Sequence, residues 1–209
     1  MKRLIIFLVS GMILFALIFG LVVWLSLQPQ SWYAPPNFDE PKIAELADLA
    51  ERRMNEEFHK VRSIDEVWHL RITEEAVNAW LSGRLEGWLT HDQYIEMPQE
   101  VQAPQIHITK EGIWLAANIL TDIETKPQPL AIKLQIRIES GILFADPISV
   151  RLGRVPIPIA FFQSVITELQ EDLRGVRAIA PLIDDREVHI LEIELEENAF
   201  VLTCQTRFP

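Results

Sequence analysis

The sequence predicts an α+β protein: an apolar N-terminal helix, then one domain of antiparallel strands flanked by amphipathic helices. Three observations carry this. Leu4 to Leu27 contains no charged residue. Apolar side chains recur at helical spacings over 42–62, 73–89 and 159–174. Between and after those stretches, 105–152 and 189–208 alternate with the period of two that belongs to half-buried strands.

The first element is long enough to cross a bilayer. At about 1.5 Å per residue, Leu4–Leu27 spans roughly 36 Å, against a hydrocarbon core of roughly 30 Å. Lys2 and Arg3 precede it, and Asp39 and Glu40 are the first charges beyond it. The positive-inside rule then places the N-terminus in the cytoplasm and the rest of the chain outside, as a single-pass protein of the cell (inner) membrane. Trp24, Trp32 and Tyr33 suit the outer interfacial belt. The competing reading is a cleaved signal peptide, but its apolar region is normally shorter. No small-x-small cleavage site is evident around Ser26–Ser31, and there is no cysteine for lipoprotein processing. The expected organisation is an anchor at 1–27 with a short cytoplasmic start, a proline-rich spacer at 28–41, and an extracytoplasmic domain at 42–209.

Within that domain, Lys42–Arg62 carries Ile43, Leu46, Leu49, Ala50, Met54, Phe58 and Val61 on a narrow helical stripe. Such a stripe fits a helix that packs late, or one that packs against something other than the main core. Trp68–Ile72 alternates as a strand. Thr73 is a good N-cap, and Glu74 and Glu75 fall in the first turn, where the helix dipole favours them. The helix behind carries Val77, Trp80, Leu81, Leu85, Trp88 and Leu89 on one broad face. Gly83 and Gly87 lie four apart, either permitting close backbone packing or weakening the helix.

A hairpin is expected at 105–120, turning at Lys110-Glu111-Gly112. Leu130, Ile132, Leu134, Ile136 and Ile138 define the dry face of the next strand, and Ala131, Lys133, Gln135, Arg137 and Glu139 its wet face. Ile142–Leu152 follows, with Pro147 as a bulge or edge marker. Pro156 and Pro158 keep the next loop extended, ahead of a helix from Ile159 to Arg174 with Phe162, Val165, Ile166, Leu169 and Leu173 inward. The chain ends in a hairpin. His189, Leu191, Ile193 and Leu195 are expected on one face of its first strand, and Glu192, Glu194 and Glu196 on the other.

Charge excludes some functions. The formal charge is −11, and taking away the two positives of Lys2 and Arg3 leaves −13 for the remainder. Phosphate backbones need clustered Lys and Arg, so nucleic acid is not an expected partner. Cys204 is the only cysteine, which rules out an intramolecular disulfide and reads as a small buried hydrophobe. No Asn-x-Ser/Thr sequon occurs, which fits a bacterial protein.

No chemistry stands out. His59, His69, His91, His107 and His189 match no metal-ligand spacing, so no metal and no cofactor are expected. There is no GxSxG, P-loop or GxGxxG pattern. Glu192, Glu194 and Glu196 read as a solubilising strand face. Trp68, Trp80, Trp88 and Trp114, beyond the membrane region, read first as ordinary core, and alternatively some of them line an apolar cleft. The chain is expected not to be an enzyme.

The stretch Ile72-Thr73-Glu74-Glu75-Ala76-Val77-Asn78-Ala79-Trp80-Leu81, behind an anchor, resembles a helix shared by several bacterial envelope proteins, among them YpmS-like proteins and other tubular-lipid-binding (TULIP)-like domains. Gly141-Ile142-Leu143-Phe144 through Val150-Arg151-Leu152-Gly153-Arg154-Val155-Pro156-Ile157-Pro158 is similar to their strand, proline loop and following helix. The resemblance covers about 70–175, rests on short apolar motifs, and leaves Val176–Glu187 unmatched. It implies a curved antiparallel sheet wrapped around amphipathic helices, with an apolar cleft for acyl chains and no catalytic residues to carry over.

The leading expectation is therefore a membrane-anchored module that binds a lipid or other hydrophobic ligand. Its groove candidates are Trp80, Leu81, Trp88, Trp114, Phe161, Phe162 and Ile166. The alternative is a protein–protein interaction or scaffold module docking onto another envelope protein. A third reading, an unrecognised hydrolase, requires a buried, perturbed Glu or His in a polar cleft.

Overall fold

The computed structural model describes residues 2–63, 65–92, 96–121, 124–164, 166–167, 176–182 and 184–207. Helix α1 (Lys2–Ser26) is exposed along most of its length, with Phe15 and Leu17 among its exposed apolar side chains, and meets the domain at its C-terminal end. It is long and apolar enough to cross a membrane. The longer helices of the rest are α2 (Pro41–His59) and α3 (Glu74–Gly83), which follows strand β1 (Val67–Thr73) and is continued by a helical turn at Leu85–Gly87 and a π-helical turn at Trp88–Asp92. Thr73 caps α3 as its sequence predicts, its Oγ1 accepting from the Ala76 N–H at 3.3 Å.

Eight further strands follow: β2 (Val101–Thr109), β3 (Gly112–Thr121), β4 (Glu124–Glu139), β5 (Ile142–Leu152), β6 (Val155–Ile157), β7 (Ile179–Pro181), β8 (Glu187–Glu196) and β9 (Ala199–Arg207). They form two antiparallel sheets, β1-β9-β8-β7 and β2-β3-β4-β5-β6, with helices beside them. The fold class is α+β. Beyond the end of β6, the outer edge of β5 is taken by residues 176–178 through an Ile142↔Arg177 bridge and the bond from Ala178 N–H to Gly141 O at 2.9 Å. At the other end, Asn198 N–H reaches Ile108 O at 3.1 Å, so the two sheets are stitched at both ends.

Two bulges change which side chains face inward. Ile148 is the extra residue between the pairs Leu134↔Pro147 and Lys133↔Ser149, beside the proline that marks it in the sequence. Leu191 is extra between Ile190↔Cys204 and Glu192↔Thr203. The expected single face of His189, Leu191, Ile193 and Leu195 is therefore corrected. Val188 and Ile190 pack inward before the bulge and Ile193 after it, while Leu191 is exposed. One inserted residue exchanges the faces of a strand.

A second correction concerns the segment after α1. Residues 28–34 do not form a free spacer. Tyr33 is buried with Trp114, Ala116 and Ala131, with Trp32 packed alongside. Ala131, expected on a wet face, is fully buried because this segment covers it. The Tyr33 hydroxyl donates to Ala103 O at 2.8 Å, and Ala34 N–H donates to Gln105 Oε1 at 2.8 Å. Trp32 stacks on His107 with ring centres 5.0 Å apart. Trp32 and Tyr33 therefore serve the domain rather than an interfacial belt.

Of the expected helix at 159–174, the described part is a 3-10 turn at Ile159–Phe162 followed by helical residues; 165 and 168–175 lie outside the described residues.

Candidate functional site: an apolar groove under helix α2

Helix α2 is held at both ends. Two turns into it, Arg84 pairs with Asp48, which pushes the guanidinium pKa up. The Phe38 ring, just before α2, lies where a Cβ on Gly83 would sit. At its far end, Phe58 packs edge-on against Trp68 at 5.9 Å. The buried Arg186 guanidinium donates to His59 O at 3.0 Å and Lys60 O at 3.2 Å, satisfying carbonyls that the helix end leaves open. Arg186 also binds Asp184, whose carboxyl its guanidinium holds below the ordinary range.

Between these clamps the helix does not close down on the sheet. A cavity of about 310 Å³ remains beneath it, open to solvent on one side. Its walls are Leu46, Leu49, Ala50 and Met54 of α2; Leu70 and Ile72 of β1; Ala76, Val77 and Trp80 of α3; and Phe200 of β9. The rim carries Glu51, Arg53, Arg71 and Thr73. Leu49 and Met54 are 39% and 37% exposed, an unusual state for the apolar stripe of a helix that already lies against a domain.

Helix α3 forms the floor and is itself fixed by polar side chains. Asn78 is buried; its Nδ2 donates to Ile106 O at 2.9 Å, and its Oδ1 accepts from Ile106 N–H at 2.8 Å. One turn earlier, Glu74 accepts from Ile108 N–H at 2.6 Å and faces His107 Nδ1 at 3.1 Å. Residues four apart on a helix thus match residues two apart on the outer edge of β2. This gives the Thr73-Glu74-Glu75-Ala76-Val77-Asn78 motif a structural role: it closes a sheet edge with a helix.

Of the candidates named from sequence, Trp80 lines the groove, and Trp88 meets it edge-on at 6.0 Å. Leu81 is half-buried on α3 but outside the groove wall. Trp114 belongs to the other sheet, buried with Tyr33 beneath the Arg151 guanidinium at 4.7 Å. Phe161 is 77% exposed on the 3-10 turn, Phe162 is half-buried beside it, and Ile166 is buried further along. The structure therefore brings Trp80 and Trp88 together and places the other five elsewhere. Sequence reasoning missed the α2 wall, although the narrow stripe of Leu46, Leu49, Ala50 and Met54 was its signal.

Among the described residues, no group of three or more His, Cys, Asp or Glu side chains could hold a metal. The groove offers apolar surface with charge at its mouth.

No protein-family model matches the chain, and no curated protein matches it. Among solved structures, it is similar to one titled "Crystal structure of lipopolysaccharide binding protein", at 13% identity and a TM-score of 0.23, covering 68% of this chain. The chain spans 41% of the length of that protein.

Proposed function

We propose that this is a non-catalytic module, anchored through α1 with its domain outside the cytoplasm, that binds a lipid or other hydrophobic ligand. The observation that carries the reading is the groove beneath α2. It is walled almost wholly by aliphatic and aromatic side chains and held open because α2 is clamped at its ends. Unfilled apolar surface of this kind is the ordinary form of a hydrophobic ligand site. The anchor and the charge asymmetry around it support an extracytoplasmic placement next to a source of acyl chains.

The test is intact-protein mass spectrometry of the full chain released from detergent, alongside Trp80→Asp. The wild-type chain is expected to retain an acyl ligand that the folded variant has lost. Equal occupancy in both, or none in either, would sink the reading. A second reading, docking onto an envelope protein, draws on exposed Phe161 and on Leu115, which is 42% exposed on the other sheet. It predicts that Phe161→Ser abolishes co-purification of a partner and leaves ligand retention unchanged.

A further inference from the structure

We infer that the groove takes a single alkyl chain ending in an anionic group, and that Arg53 binds that group; this rests on the hydrophobe-binding reading above. A volume of about 310 Å³ lies at the small end of ligand pockets and suits one chain rather than a two-chain lipid.

The charges at the mouth differ in how far they are already satisfied. Arg71 is paired with Glu196 at 2.9 Å. Glu51 lies within electrostatic reach of Arg84, whose own partner is Asp48. Glu57, one turn beyond Arg53, is taken by Arg62 and Lys60. Among the described residues, Arg53 has no hydrogen bond or ion pair of its own, although the chain is strongly acidic. It stands one turn past Leu49 and Ala50 on the same helical face, where the apolar wall gives way to solvent. A chain lying along that wall brings its head to a guanidinium, whose fork of donors fits a carboxylate or phosphate.

The site also has to discriminate against neutral amphiphiles. An alcohol of the same length fills the wall equally but leaves the guanidinium without an anionic partner. The acid gains a charge-assisted bond of a strength that corresponds to roughly tenfold in affinity.

The experiment uses the full chain in lipid nanodiscs with two diazirine-bearing probes of one chain length, palmitic acid and hexadecanol, crosslinked over a concentration series and mapped by peptide mass spectrometry. Crosslinks to α2, α3, β1 and β9 are expected at roughly tenfold lower concentration of the acid than of the alcohol. Arg53→Gln should bring acid capture down to the level of the alcohol, and Arg53→Lys should restore much of the difference. Equal capture of both probes in the groove overturns the anionic-head inference and leaves hydrophobe binding intact. Acid preference unchanged in Arg53→Gln overturns the assignment to Arg53. Crosslinks to α1 alone overturn both this inference and the reading beneath it.

Discussion

The Cys204 thiol is fully enclosed between the sheet and α2, and burial pushes its pKa from 9.0 to about 11 against the opposing charge of Arg62. A thiol reacts as thiolate, so the native protein should label slowly with maleimide at pH 8 and completely once denatured. Fast native labelling would contradict the burial. Tyr33 titrates in the same sense: burial raises its phenol from 10.0 to about 12. Because the folded state holds this proton more tightly, its contribution to stability is complete below pH 10 and is lost as the pH rises towards 12. Tyr33→Phe should flatten the fall in stability over that window, read by denaturant titration at stepped pH. At neutral pH the same change removes the bond to Ala103 O and should cost about 1 kcal/mol. Asn78 is a stricter case, since one side chain satisfies both backbone groups of Ile106. Asn78→Ala leaves a donor and an acceptor unpaired and should cost about 2–4 kcal/mol in chemical denaturation. Asn78→Asp should be no better, because a carboxylate oxygen would then face the Ile106 carbonyl.

At the scale of elements, local pattern was a good guide wherever one side chain settles one decision. The Thr73 cap, the Lys110-Glu111-Gly112 turn, β5 and the final hairpin were all legible from residue type and spacing. What was not legible depends on partners far away in sequence. Nothing around Leu191 announces a bulge; it follows from fitting β8 to both β7 and β9. The groove was half legible: Trp80 stood out by size, whereas the α2 wall is visible only once both ends of that helix are seen to be clamped. Two glycines test the clamping. A Cβ at Gly83 collides with the Phe38 ring, so Gly83→Ala should displace the start of α2 and lower the melting temperature. A Cβ at Gly87 meets nothing within 4 Å, and Gly87→Ala should be neutral or stabilise by about 0.5 kcal/mol. Equal effects at both positions would show that Phe38 does not seat against α3.

At the scale of the whole molecule, the question is whether the domain hangs from α1 on a tether or is built onto its end. The sequence reads as a short stiff spacer over 28–41, because it carries four prolines and no periodicity. The structure joins the two directly. Leu25 O at the end of α1 accepts from Arg154 N–H at 3.0 Å, and Arg154 Nε donates to Pro29 O at 3.0 Å. Gln30 is buried, with its Nε2 donating to Gly153 O at 2.6 Å. Gly153 holds φ +55, and a Cβ there would run into the carbonyl oxygens of Leu25 and Ser26, so only glycine lets the β5–β6 turn sit this close to the helix. Beyond this joint, Trp32 and Tyr33 pack on the β2–β3–β4 face, Trp32 stacked on His107 and Tyr33 edge-on to Trp32. A fragment beginning at Gln28 should therefore be more stable than one beginning at Ala34, by about 4 kcal/mol for the two buried aromatics and the lost tyrosine bond. Urea titration of the two fragments measures this, and equal midpoints would restore the tether. In the full chain, chymotrypsin should cut slowly after Trp32 and Tyr33, and Gly153→Val should speed that cleavage by forcing the turn off the helix end. A domain fixed in this way keeps one attitude to α1.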